Sequence, residues 1–179
     1  MTRPCARRRL AAIVLAGAAA WLGTSAARAH SASDAYLSLE RGADGVVHGQ
    51  WDIALRDLDF VLGLDDDGDG NLTWGEVHRH QGAIARYALA RLTLHGPGRD
   101  CPLTLTRQWI DGHADGAYMA LFFEARCAAP SQALSVDYRL FFDIDPSHRA
   151  IVVVDRGRAT AVLSPQQARI ELKPAPGAR

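Results

Sequence analysis

Twelve consecutive residues, DDDGDGNLTWGE at 65–76, constrain this chain of 179 residues more than any other feature. Asp65, Asp67 and Asp69 stand at positions 1, 3 and 5 of the run, Asn71 at 7, Thr73 at 9 and Glu76 at 12. Gly70, at position 6, permits the sharp turn that brings alternate residues to one side. Such a turn offers three carboxylates, the Asn71 backbone carbonyl, a Thr73 oxygen or a water held by it, and two oxygens from Glu76. A hard divalent cation takes six to eight oxygens at about 2.3–2.6 Å, so the spacing predicts a calcium site with Ca²⁺ as its cofactor. Leu72, at position 8, is apolar and points the loop inward.

This is the spacing of an EF-hand, and it demands a helix on either side. Residues 56–64 read as a short entering helix, with Val61 and Leu64 apolar before the loop. Residues 73–92 read as a longer one, with Val77, Ile84, Ala88 and Leu92 near one face. His80 and Gln81 depart from the pattern, since they stand where the exiting helix is usually apolar. EF-hands usually pair through position 8, and a single loop leaves that role to the rest of the fold or to another chain. Exported modules of this kind bind calcium with Kd near ~10⁻⁴–10⁻³ M, which predicts a structural or lightly regulatory ion.

Outside 56–92 the period is that of strands. Residues 34–40 and 46–55 are strand-like runs around a Gly/Asp turn at 42–45, and five more follow at 103–110, 117–125, 134–142, 150–154 and 159–163. The expected fold is mainly β: a small antiparallel β-sandwich over 30–172 with an inserted EF-hand helix-loop-helix, and a tail at 173–179.

Formal charge is zero, from 20 basic and 20 acidic residues, and the zero is a sum of unlike parts. Residues 1–29 carry five Arg and no acid, while 56–76 carry one Arg against seven acids. The first block has an arginine-rich start at Arg3 and Arg7–Arg9, an apolar run from Leu10 to Leu22 and a small-x-small site at Ala27-Arg28-Ala29. That is a Sec-type signal peptide over 1–29, too short in its apolar run for the roughly 20 residues that span a bilayer. Cleavage would leave a periplasmic or secreted chain, acidic overall and not membrane-spanning. Cys101 and Cys127 then remain, an even pair expected to form a disulfide in an oxidising compartment. No basic excess marks a nucleic-acid binder.

All seven histidines follow the signal segment. His30 would become the terminus, where α-amine and imidazole jointly chelate a softer ion such as Ni²⁺ or Cu²⁺. His113 and His148, both in polar strings, are the candidate partners for His30 in a second metal site. No GxSxG, HExxH or phosphate loop is present, and the chain is not expected to be an enzyme.

Four strings together resemble a known family: AHSASDAYL at 29–37, WDIALRDLDFVLGLDDDGDGNLTWGE at 51–76, DGAY at 115–118 and YRLFFDIDPSHR at 138–149. They are similar to the exported N-terminal portion of HupE/UreJ-class proteins, hydrogenase and urease accessory proteins regarded as nickel or cobalt permeases. The resemblance implies a location outside the inner membrane and a connection with metal uptake. It implies no permease function, because the membrane half that carries transport in that class has no counterpart here. Two readings follow: an exported calcium-binding protein, or a periplasmic Ni/Cu/Co-handling module using His30 beside a separate permease or other envelope protein.

Overall fold

The structure, a computed structural model, describes residues 33–42, 46–128 and 133–174. The expected signal peptide at 1–29, His30, most of the first turn and the end of the tail lie outside the described residues. Ten strands and two helices occur among them.

The chain begins with a hairpin of β1 (Asp34–Arg41) and β2 (Val46–Ala54), paired antiparallel with Leu37 opposite Trp51. Alternation in β1 buries Ala35, Leu37 and Leu39, as period-2 geometry requires. The helices α1 (Leu55–Leu62) and α2 (Trp74–Leu89) are inserted next. Then come β3 (Leu92–Gly96), β4 (Arg99–Cys101), β5 (Leu103–His113), β6 (Gly116–Arg126), β7 (Leu134–Tyr138), β8 (Arg149–Val154), β9 (Ala159–Leu163) and β10 (Arg169–Leu172).

Two sheets result. The larger has the order β5-β6-β2-β1-β8-β9, the smaller β10-β7-β3-β4. The chain is mainly β, as expected, but the larger sheet is mixed rather than antiparallel: β1 and β8 pair in parallel, Leu37 beside Val152. Parallel neighbours need a long connection, and here β3, β4 and β7 of the second sheet lie between them in sequence.

Both sheets feed one buried cluster. Trp51 of β2 meets Tyr138 of β7 edge-on, with ring centroids 5.4 Å apart, and Leu37, Leu121, Phe123, Leu94 and Val136 are buried in the same cluster. Each fully buried side chain of this size contributes roughly 1.5–3 kcal/mol. Phe123 lies across Gly49, where an added Cβ would stand 2.1 Å from the ring, so only glycine fits that register position. The Cys101 and Cys127 sulfurs are at bonding distance, joining β4 to the residue after β6.

Four strands depart from the sequence expectation. The longer helix stops at Leu89 because Leu92 and Leu94 are buried alternately as β3, and Gly98, at φ 79°, turns the chain into β4. The run 134–142 ends as a strand at Tyr138; Phe141 adopts φ 60° in the turn that follows and is itself buried. β10 pairs with β7 on the smaller sheet. Among the described residues no helix is long and apolar enough to cross a membrane.

Candidate metal centre

The acidic loop sits between two helices that the core holds in place. α1 buries Leu55 and Leu58; α2 buries Val77, Ile84, Ala85 and Ala88, an apolar stripe at helical spacing. Gly63 ends α1 in the left-handed region at φ 61°, and its N–H donates to the Asp59 carbonyl at 2.8 Å. Asp59 Oδ1 then accepts from the N–H groups of Leu64 (2.7 Å) and Asp65 (3.1 Å), while the Leu64 side chain is wholly buried. The loop is thereby anchored at its first residue.

Its carboxylates organise its own backbone. Asp65 accepts from the N–H groups of Gly68 and Gly70, both at 2.8 Å, and the positive φ of these glycines (72° and 81°) makes the tight turn possible. Asp67 accepts from Asp69 N–H at 3.2 Å, and Asp69 from Asn71 N–H at 2.7 Å. At the far end Thr73 and Glu76 form a capping box on α2. Glu76 Oε2 accepts from Thr73 N–H (2.8 Å) and Thr73 Oγ1 (2.6 Å), and Oε1 from Asp66 N–H (3.1 Å) across the loop. The last loop residue thus reaches back to the second.

Asp65, Asp67 and Glu76 bring a carboxylate oxygen each to within 4.8 Å of one another. Glu76 is buried, at 3% exposure, and Asp67 is exposed. Asp69 and Thr73 stand outside that trio and serve the backbone and Glu76 instead. Hydrogen bonds from the Gly70 backbone above all hold Asp65 below the ordinary carboxylate range. The Thr73 side chain does the same for Glu76, although Asp65 opposes it. Three ionised carboxylates this close repel one another, and a divalent cation would relieve them.

Asp66, at position 2, points elsewhere. It accepts from Arg79 (2.6 and 2.8 Å) and lies 2.8 Å from His80 Nε2, contacts that lower its pKa, His80 first. Of the two residues that break the apolar pattern of the exiting helix, His80 makes one of these contacts, and its departure from that pattern was the signal for it. Leu72 packs partly against the core, and no strand pairs with it among the described residues. Beside it a cleft of about 390 Å³ runs between Gly70 and Leu72 on one wall and Asp115, Gly116 and Tyr118 on the other.

The histidines proposed to complete a second metal site are not brought together. His148, expected in a polar loop, is fully buried. Its Nδ1 lies 2.7 Å from Ser33 Oγ and its Nε2 2.8 Å from the Tyr138 hydroxyl. Ser33 donates onward to Asp57 Oδ2 at 2.9 Å, which assigns the ring proton to Nδ1 and makes Nε2 the acceptor for Tyr138. Burial pushes this imidazole down to about 4, so it is neutral and both nitrogens are engaged. His113 ends β5 on the outer face of the larger sheet, its ring stacked on Tyr36 and Tyr118. Among the described residues the only group of three His, Cys, Asp or Glu side chains gathered for a metal is the one in the loop.

No protein-family model matches this chain, and no curated protein matches it either.

Proposed function

We propose that this is an exported calcium-binding protein in which one Ca²⁺ at 65–76 fixes the two inserted helices. The observation that carries the reading is the convergence of Asp65, Asp67 and buried Glu76 at the junction of α1 and α2. Position 12 of an EF-hand loop must present both carboxylate oxygens from the first turn of the exiting helix, and Glu76 occupies that turn. The ion would replace the hydrogen bonds through which Thr73 and Asp66 now hold Glu76, and would set the position of Gly70 and Leu72 in the wall of the neighbouring cleft.

Export is supported by the Cys101–Cys127 pair, which suits an oxidising compartment, and by the signal-like first 29 residues. The resemblance to HupE/UreJ-class exported portions favours the periplasm, and an envelope protein such as a metal permease as a partner. The alternative, a transition-metal site built from His30, His113 and His148, loses support because His148 has both nitrogens engaged in the core. Calcium titration of the exported protein, followed by thermal unfolding and by Trp74 fluorescence, tests the proposal. A calcium-dependent rise in Tm that Glu76→Gln abolishes is the expected result.

A further inference from the structure

The outer face of the larger sheet holds a polar group where solvated side chains would be expected. Register places Tyr36, Asp52, Ala120 and Trp109 in one row across β1, β2, β6 and β5. Asp52 in that row is only 8% exposed. Gln50, two residues earlier on the same face, donates its amide to both carboxylate oxygens, at 2.9 and 3.2 Å. His113 comes in from the end of β5, with Nε2 3.5 Å from Asp52 Oδ2. The ring is held by stacking, 5.3 Å from the Tyr36 centroid and 4.1 Å from that of Tyr118, each at 27°. Asp111 stands two residues before His113 and acts on Asp52 electrostatically; Asp115 accepts from the Tyr118 hydroxyl at 2.8 Å.

The separation of His113 and Asp52 leaves room for an ion between them. At 3.5 Å it is longer than a charge-assisted hydrogen bond, which would close to about 2.7–2.9 Å. A tetrahedral ion with bonds of about 2.0–2.2 Å to an imidazole nitrogen and a carboxylate oxygen sets those two atoms about 3.3–3.5 Å apart. The surroundings are those of ligands held from behind: the carboxylate by an amide, the imidazole by two rings. Burial raises the Asp52 pKa and Asp111 raises it further, while Gln50 and His113 act against them.

We propose that His113 Nε2 and Asp52 Oδ2 anchor a borderline divalent transition-metal ion on the outer face of the larger sheet, with water completing its coordination. An imidazole with a carboxylate suits Zn²⁺ or Ni²⁺ rather than Ca²⁺, which takes oxygens alone. The site is separate from the loop at 65–76 and does not depend on calcium binding there.

The test is calorimetric titration of the chelator-treated protein with Zn²⁺ in millimolar Ca²⁺. A His30→Ala background removes the terminal chelate. One equivalent of saturable binding is expected, at least tenfold weaker in His113→Phe, which keeps a ring between the tyrosines, and in Asp52→Asn, which keeps the Gln50 contact. Gln50→Leu should weaken it by a smaller factor. Where thermal melting shows that one variant does not fold, the other decides. No saturable binding, or equal affinity in the folded variants, would reduce the pair to an ordinary ion pair and overturn the proposal.

Discussion

The loop at 65–76 and the network around His148 are both polar, both rich in hydrogen bonds and built in opposite senses. In the loop, charged acceptors gather, and most of what satisfies them is the backbone of the same twelve residues. Around His148, uncharged Tyr138, imidazole and Ser33 run in a chain to the Asp57 carboxylate, drawing on residues far apart in sequence. The first arrangement concentrates negative charge and invites a cation. The second keeps its imidazole uncharged and fastens the start of β1, the turn before β8 and α1 to one another. Since Asp57 lies on the helix that enters the loop, the His148 network supports the charged one.

The largest way to break this contrast is His148→Ala. It opens a cavity in the core and leaves Tyr138 and Ser33 without their partner, so a loss of roughly 3–5 kcal/mol in chemical denaturation is expected. The same substitution should weaken calcium binding only through α1, leaving the loop's ligands intact.

Titration gives the next effect. The folded pKa of His148, about 4, lies below the ordinary histidine value, so the unfolded chain takes up its proton first. Stability from this residue is therefore full above pH 6.5 and falls as pH drops from there toward 4, by about 3 kcal/mol over the window. Asp65 and Glu76, with depressed values, lose their contribution only at more acid pH, below the ordinary carboxylate range. Unfolding measured at intervals from pH 7 to pH 3 should thus show two separate losses. A single loss beginning near pH 4 would mean that His148 does not titrate as a buried neutral ring.

Much of the loop was legible in the sequence because its chemistry is local. The gathering of Asp65, Asp67 and Glu76 and the glycine turn both lie within twelve places, so spacing alone carries them. The His148 network was not legible, because nothing in DIDPSHR shows that Tyr138 and Ser33 will close over the ring. For the same reason the parallel pairing of β1 with β8 escaped a reading by period, which reports which face is buried but not which strand lies alongside. The short strands β4 and β10, of three and four residues, fell below the length at which alternation is distinctive, and β3 was read as the end of the helix before it. Leu92 in particular fits either the last turn of a helix or the first buried position of a strand.

A smaller effect has the opposite pH sign. His95 of β3 lies 2.6 Å from Asp137 of β7 and in contact with Asp100 of β4; Arg169 of β10 also faces Asp137, at 3.6 Å. Partial burial works against the charged ring, but Asp137 and Asp100 prevail and raise its pKa. Its contribution is present below the ordinary histidine value and is lost as pH rises through the raised one. His95→Gln should flatten stability on that alkaline side alone, a modest change for a pair so near the surface.

The central claim is tested most directly by the Tm of the exported protein in millimolar Ca²⁺ against chelator, at pH 7, with Glu76→Gln alongside. A loop that binds calcium with Kd near ~10⁻⁴–10⁻³ M should raise Tm by several degrees, growing with the logarithm of calcium concentration. Glu76→Gln should remove most of that rise. An identical Tm in calcium and chelator, or a rise that Glu76→Gln leaves intact, would contradict the account.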